Sequence, residues 1–325
     1  MRVLLTGGSG FVGGHIAHSL NASGHELRLL LRPTSNTSFL DDLSFERFVG
    51  DLQRPDSLRS ACQGVDAVVH SAAVIRAADT REFVRANQEG TRHLAHAAAD
   101  AGVRRLLYIS SLAAQGPSPN GAVEPTEVRP HPVSAYGRSK LEGERVIESV
   151  REHMDVVSLR PPLVYGPGDT GLLAFFWMAR RGFAVRLGSG SNLVDAIYAP
   201  DLADAVTNLL NVDRAPDPCY YVSDPEGPYS WNDLLSALTD VAGRRLLIPS
   251  LSPGVFHGIA RCSEWWAKLS KSEPMLDRTR VLEMRQPAWL CDSSALTRDT
   301  GWRARTRLET GLAETMRWYR TQGWV

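Results

Sequence analysis

Cysteine is scarce and scattered in this chain of 325 residues: Cys62, Cys219, Cys262 and Cys291 form no C-x-x-C pair, and no histidine stands at ligand spacing around them. That pattern excludes a disulfide framework and a structural zinc site, and leaves reduced, mostly buried thiols. His93 and His96 share a predicted helix face, but no acidic or thiol partner flanks them at metal-site spacing, so no metal is expected. An excess of either charge is missing as well, with 36 acidic residues against 36 basic ones. Such a balance offers nothing to a polyanion, and nucleic acid is not an expected partner. Long apolar runs are also lacking. The longest, at 172–179, falls far short of the roughly 20 residues that span a bilayer. Gly7 interrupts Met1-Arg-Val-Leu-Leu before the core of a signal peptide could form. A soluble, cytoplasmic protein that acts on a small molecule, without membrane binding, is expected.

What is present is a patterned apolar content of 43%, enough to bury a large core. Apolar runs at 2–6, 27–31, 45–49, 67–70, 106–110 and 156–159 read as buried strands, and segments at 11–23, 55–62, 80–101 and 135–150 read as helices between them. Alternation of this kind predicts an α/β fold, a doubly wound parallel sheet with helices on both faces. After Pro161 the pattern loosens. Pro and Gly cluster at 161–171, a helix carries Phe175, Phe176 and Trp177, a further helix covers 201–210 and a strand 219–222. The expected division is a nucleotide-binding domain at 1–165, to which 196–224 returns, and a smaller, interleaved, mainly helical substrate domain at 166–195 and 225–325.

Between the first strand and the first helix lies Gly7-Gly-Ser-Gly10-Phe11-Val12-Gly13. In that context G-x-x-G-x-x-G carries meaning: Gly7 permits a tight turn, Gly10 lets a pyrophosphate approach the backbone, and Gly13 packs helix on strand. A dinucleotide phosphate then rests on the helix N-terminus, as in a Rossmann domain. The second strand ends at Arg32, where an NAD-selective site offers a carboxylate to the ribose diol. Arginine suits a 2′-phosphate instead, with Thr34 or Ser35 as further donors, so NADP(H) is preferred over NAD(H). The alternative is an exposed arginine at a strand end. Asp51 and Leu52 follow the third strand and suit an adenine amino group and ring, although a plain turn aspartate is the competing reading. Small residues Ser71, Ala72 and Ala73 follow the fourth strand and leave room for the dinucleotide to cross the sheet edge.

Tyr136 and Lys140 stand four residues apart, which stacks phenol and ammonium on one helix face. Moving a phenol from pH ~10 to about 7 needs roughly 4 kcal/mol. A unit charge about 4 Å away supplies roughly that much at an effective dielectric of ~20. The spacing therefore predicts a phenol whose pKa Lys140 depresses, a proton relay for an alcohol or carbonyl. Read alone, it fits a solvated surface pair equally well.

In this order, Thr6-Gly-Gly-Ser-Gly-Phe-Val-Gly13, Gly50-Asp-Leu52, His70-Ser-Ala-Ala73, Ala86-Asn87-Gln-Glu-Gly-Thr91, Ile109-Ser-Ser111, Tyr136-Gly-Arg-Ser-Lys140 and Leu159-Arg-Pro-Pro162 resemble the extended short-chain dehydrogenases/reductases. The likeness covers about the first 210 residues. It implies Ser111 as the hydroxyl on the substrate oxygen, with Ser110 as the rival, and Tyr136 as the general acid/base. By the same resemblance Lys140 binds the nicotinamide ribose, Asn87 holds the active-site helix, and Pro161, Pro162 and Leu163 face the nicotinamide through their backbone. The family commonly forms dimers through the helices at 80–101 and 135–150, so a homodimer is implied.

Sugar-nucleotide members of that family carry an asparagine where this chain has Leu163 and an arginine where it has Val194. Neither replacement can donate to a diphosphate. Arg160-Pro-Pro-Leu-Val-Tyr-Gly166 and Tyr220-Tyr-Val-Ser-Asp224 are similar instead to the 3β-hydroxysteroid dehydrogenase and dihydroflavonol-reductase-like branch. The expected activity is NAD(P)-dependent interconversion of a secondary alcohol and a ketone on an apolar molecule such as a steroid, polyketide or lipid. A nucleotide-sugar epimerase or dehydratase is the alternative, and a non-catalytic dinucleotide sensor the third reading. On the substrate side, Phe175, Phe176 and Trp177 are expected on a flap over the site. Val255, Ile259, Cys262, Trp266 and Leu269 are expected on one core-facing helical stripe, some of them lining a pocket, with Phe256 and Trp265 beside it.

Overall fold

The run Arg-Val-Leu-Leu-Thr lacks polar alternation because both faces of its strand are covered. Val3 and Leu5 join the core on one side of the sheet, and Leu4 joins the core on the other. The computed structural model describes residues 1–77, 79–252, 254–256, 258–261, 263 and 278–325. Its strands are β1 (Arg2–Thr6), β2 (Glu26–Leu31), β3 (Glu46–Val49), β4 (Ala67–His70), β5 (Arg105–Ile109), β6 (Asp155–Arg160), β7 (Leu163–Tyr165), β8 (Arg186–Leu187), β9 (Leu193–Val194), β10 (Ala196–Tyr198), β11 (Cys219–Tyr221), β12 (Tyr229–Ser230), β13 (Ser250–Leu251) and β14 (Ala288–Trp289). The helices used below are α1 (Phe11–Ala22), α2 (Pro55–Cys62), α3 (Thr80–Phe83), α4 (Gly90–Asp100), α5 (Leu112–Gln115), α6 (Ala135–Glu148), α7 (Leu173–Arg180), α8 (Ala199–Asn211), α9 (Trp231–Ala242), α10 (Arg278–Met284), α11 (Ser294–Thr300) and α12 (Leu308–Thr321).

Seven strands form one all-parallel sheet in the order β11-β6-β5-β4-β1-β2-β3. Helices α1 and α8 cover one face through Ile16, Leu20, Val206 and Leu209; α2, α4 and α6 cover the other through Leu58, Leu94, Ala98 and Ile147. Each fully buried leucine of this kind is worth about 1.5–3 kcal/mol of transfer free energy. The direction of winding reverses between β1 and β4, whose last residues Thr6 and His70 lie side by side. Ligands of open α/β sheets bind at such a point, beyond the carboxyl ends of the strands. Arg105 ties α8 to the sheet: buried beside Asp155, it donates to the carbonyls of Leu209, Val212 and Asp213, which the end of α8 leaves without helical partners.

The expected continuous helix at 80–101 is interrupted. Val84–Glu89 is a π-helix between α3 and α4, with Asn87 inside it. Sequence periodicity alone does not distinguish this from an unbroken α-helix, because the cause is a tertiary demand on Asn87 described below.

Short strands interlace beyond the carboxyl edge of the sheet: β7 pairs with β10, and β9 lies between β12 and β14. A third core gathers Tyr165, Phe176, Leu238, Leu312 and Tyr319 between α7, α9 and α12. Further on, Phe256 and Ala260 are buried against Leu187 and Val281, while Val255 and Ile259 are 48% and 41% exposed. The expected stripe is therefore displaced by one residue, because Phe256 is the larger side chain and takes the core position. Its members Cys262, Trp266 and Leu269, with Trp265, lie outside the described residues. Among the described residues, no helix is long and apolar enough to cross a membrane.

Candidate active site

At the end of β1 the chain turns through Gly7, whose φ of 77° is a conformation that side chains disfavour. A Cβ there would lie 2.6 Å from the Ala72 nitrogen, and a Cβ on Gly13 would lie 2.0 Å from the Gly7 carbonyl oxygen. Backbone is thus packed on backbone across the switch point. Gly10 caps α1 without any side-chain hydrogen bond to the first turn, so the amides of Phe11, Val12 and Gly13 keep the orphan character of a helix start. A cradle of uncapped amides at a helix start fits the diphosphate of a dinucleotide. Next to it, Ser71, Ala72 and Ala73 are half-buried, as are Asp51 and Leu52. One Asp51 oxygen accepts from the Gln53 amide at 2.8 Å, so it is a turn aspartate with its second oxygen available. Arg32 is exposed at the end of β2; its amide donates to Ser35 Oγ at 3.0 Å, a tight turn that leaves the guanidinium facing out beside Thr34.

Asn87 is buried, and its side chain is saturated. It accepts from the Val74 amide at 2.7 Å, donates to the Val74 carbonyl at 2.8 Å, and donates to Ser139 Oγ of α6 at 2.9 Å. Ser139 Oγ in turn donates to the Tyr136 carbonyl at 2.7 Å. Three partners in two directions account for the π turn, a distortion that recurs at functional positions. The chain continues inward: Thr91 Oγ1 donates to the Asn87 carbonyl, leaving it to accept from His70 Nε2 at 3.0 Å, while Thr6 donates to His70 Nδ1 at 2.7 Å. Burial and then the charge of Lys140 push His70 down to about 3, which keeps it neutral, as this set of donors requires.

Tyr136 and Lys140 lie on α6, which Ser134 caps by accepting from the Gly137 amide at 2.9 Å. A Cβ on Gly137 would lie 2.2 Å from the Ala113 carbonyl, so this glycine lets α6 close on α5. That approach brings Ser111, the N-cap of α5, to Tyr136, and the two side chains line one cavity. Ser110 is turned away. Its hydroxyl donates to Glu144 at 2.5 Å, within a buried cluster in which Glu144 pairs with Arg160 at 2.6 Å and Arg160 reaches Gln115 at 2.7 Å. The two serines that the sequence left as rivals thus stand in different surroundings, Ser110 in a buried ion-pair cluster and Ser111 on the cavity.

Electrostatics depart from expectation. Burial pushes the Tyr136 phenol up to about 12; the Ser111 hydroxyl pulls it down, and Glu283 pushes it further up. Lys140 does not supply the expected depression. Its Nζ donates to the Ile109 carbonyl at 2.6 Å and lies 4.1 Å over the Tyr108 ring, and burial lowers its own pKa to about 7 against the pull of Glu144. The four-residue spacing puts both groups on one face, but the ammonium is spent on β5 and desolvation dominates the phenol. The stretch after β6 is also less open than expected, since the Pro161 carbonyl accepts from Leu112 and the Leu163 amide donates to the Asp195 carbonyl. Pro162 and Leu163 remain half-buried beside the site.

Tyr136 and Ser111 open on a cavity of about 220 Å³ whose wall includes Pro162, Leu163, Val194, Trp231, Glu283 and Trp289. Leu163 and Val194, picked out in the sequence, stand together in this wall. Among the described residues, its wall includes no lysine or arginine, and its one carboxylate is Glu283. Sequence reasoning missed Trp231 and Glu283. The only signal for Trp231 was Ser230 three residues before Asp233, a capping box that starts α9 at the tryptophan; Glu283 had none. The expected flap is only partly there: Phe176 is buried edge-on to Tyr319, Trp177 is exposed beneath Arg181, and Phe175 alone turns inward, stacking on Trp231 at 6.2 Å.

Comparison with known proteins agrees with this architecture. A family model described as the NAD dependent epimerase/dehydratase family matches residues 3–222. A ceramide reductase of Caulobacter vibrioides is 30% identical over 326 residues, covering 99% of this chain and 96% of that protein. A 3-beta-hydroxysteroid dehydrogenase of Mycolicibacterium neoaurum is 27% identical, covering 98% of this chain and 91% of that protein. Among solved structures, a dTDP-glucose 4,6-dehydratase of Streptomyces venezuelae with NAD bound superposes with a TM-score of 0.82 at 24% identity, covering 100% of this chain and 98% of that one, a likeness of fold.

Proposed function

The chain belongs to the NAD-dependent epimerase/dehydratase family, the extended short-chain dehydrogenases/reductases, and from that premise we propose that it interconverts a ketone and a secondary alcohol on an apolar, lipid-like molecule with NADP(H). One observation carries the reading: among the described residues, the cavity at Tyr136 and Ser111 is walled by Leu163, Val194, Trp231 and Trp289, with no lysine or arginine. Leu163 and Val194 offer a diphosphate no donor, whereas an uncharged hydrocarbon would replace water against the leucine, valine and indole side chains. That relatives are named for a ceramide and a hydroxysteroid supports the same substrate class.

The amides at the start of α1 would hold the dinucleotide, which would supply a hydride in reduction and take one up in oxidation. Ser111 Oγ donates a hydrogen bond to the substrate oxygen, and Tyr136 Oη gives that oxygen its proton in reduction and recovers it in oxidation. With its pKa near 12, Tyr136 holds its proton at neutral pH, the form that carbonyl reduction needs. Asn87 and Ser139 fix the turn of α6 that aims the phenol. Arg32 and Thr34 would hold the 2′-phosphate.

The test is a titration with NADPH and with NADH, followed by a panel of long-chain ketones, steroid ketones and UDP- and dTDP-sugars. Tighter NADPH binding and turnover of the apolar ketones are expected. Turnover of a nucleotide sugar, or stabilisation by UDP or dTDP, would replace this reading with the epimerase or dehydratase one.

A further inference from the structure

Behind the cavity at Tyr136 lies a second one, of about 40 Å³, among Tyr165, Leu172, Phe175, Leu235, Leu238 and Leu312. Leu163 and Trp231 belong to the walls of both cavities, so these two residues flank the way from one to the other. Both are set on fixed backbone. Trp231 is the first residue of α9, whose capping box is closed by Ser230 accepting from the Asp233 amide at 3.1 Å and by Asp233 accepting from the Ser230 amide at 2.7 Å. Phe175 stacks on the same indole with their planes 23° apart. Leu163 is fixed at the start of β7 by its amide bond to Asp195.

A void among leucines and aromatic rings forfeits the contacts that close packing would give, and an apolar void stays dry until an apolar guest enters. This one occurs only across a leucine and a tryptophan from the reacting groups. We propose that it seats the end of an unbranched hydrocarbon arm of the substrate, with the carbonyl between Ser111 and Tyr136 and the arm passing Leu163 and Trp231. The inference rests on reading the larger cavity as the site of carbonyl chemistry, and it narrows that reading from apolar molecules in general to chains. At about 10–15 Å³ for each water-sized group, the void takes three or four methylene-sized groups. A rigid fused-ring skeleton has no end narrow enough to use it.

The experiment compares kcat/KM for unbranched ketones whose alkyl arm grows from methyl to dodecyl, in the intact protein with NADPH. Over the three or four carbons that enter the void, kcat/KM rises about fourfold per methylene, which corresponds to ~0.8 kcal/mol each. Filling the void with Leu235→Phe, or from the other side with Leu172→Phe, lowers the ratio of long-chain to short-chain kcat/KM about a hundredfold. Phe175→Ala moves the preferred arm to greater length. Circular dichroism confirms that each variant is folded, and two filling variants on different elements guard against one that is not.

An unchanged ratio in both folded filling variants, or a steroid ketone preferred over every chain, overturns the proposal. Should no ketone be turned over at all, displacement of a fluorescent fatty-acid probe by unbranched alkanols still decides it. Affinity that grows with chain length in the wild type and not in the filled variants supports the cavity while removing the activity. Affinity indifferent to length in both removes the cavity's role.

Discussion

The nucleotide side and the substrate side of the site are built from different materials. On the nucleotide side the cradle is main chain: Gly7, Gly10 and Gly13 lie in one strand–turn–helix unit, and added Cβ atoms on Gly7 and Gly13 would collide with backbone. On the substrate side the wall is side chain, contributed by α5, α6, β9, α9, α10, β14 and the start of β7. Main-chain geometry admits few sequences, and a side-chain wall admits many. On the proposed reading, replacing Leu163 or Val194 would change the guest and leave the cradle intact.

The sharpest way to separate the two sides is Tyr136→Phe. Loss of the phenolic proton is expected to lower kcat by about 10²–10⁴-fold, the usual worth of acid–base catalysis. Dinucleotide affinity should stay within a few-fold, because the cradle is more than a hundred residues away in sequence and made of backbone. Single-turnover absorbance reads the first quantity and fluorescence titration the second; a Phe variant that turns over normally removes Tyr136 from the chemistry.

A smaller effect is expected from Arg32→Glu. Charge reversal beside the 2′-phosphate position should shift the NADPH-to-NADH affinity ratio toward NADH by about tenfold, or ~1.4 kcal/mol, with the ketone panel keeping its order of preference. If the ratio is unmoved, Arg32 is an exposed strand-end residue and nothing more.

The smallest effect concerns stability. Folding lowers the Lys140 pKa from 10.5 to about 7, so between those values the unfolded chain holds the extra proton and stability rises with pH. His70, lowered from 6.5 to about 3, has the same sign in the acid range. Urea midpoints measured from pH 7 to pH 9, below the range in which the buried thiols of Cys62 and Cys219 oppose the rise, are expected to climb in the wild type and to climb less in Lys140→Met. Parallel curves would show that Lys140 is not the group responsible.

Local features were legible in the sequence, and convergent ones were not. The glycine turn, the strand ends at Arg32 and Asp51, and the pair Tyr136 and Lys140 each sit within a few residues, so periodicity and spacing expose them. Where the Lys140 ammonium points was hidden, because its partner is the Ile109 carbonyl on another element and a backbone acceptor leaves no trace in composition. Glu283 faces Tyr136 across 147 positions of chain, and no pattern marks it. The helix beginning near 254 shows the limit of periodicity itself. Both the Val255–Ile259 face and the Phe256–Ala260 face read as apolar, and only the pocket offered by Leu187 and Val281 decides between them.

The π turn at Val84–Glu89 carries a consequence for how this segment tolerates change. Because it holds one residue more per turn than the α-helices on either side, its length is part of the site. Deleting one residue there would let the turn relax to ordinary α geometry with the helix beyond it still in phase and Leu94 still in the core, but Asn87 would lose the widened turn from which it reaches both Val74 and Ser139. Exposed positions such as Arg85 and Glu89 are free to vary in identity, whereas a single-residue deletion should leave the fold standing and remove the seat of Asn87.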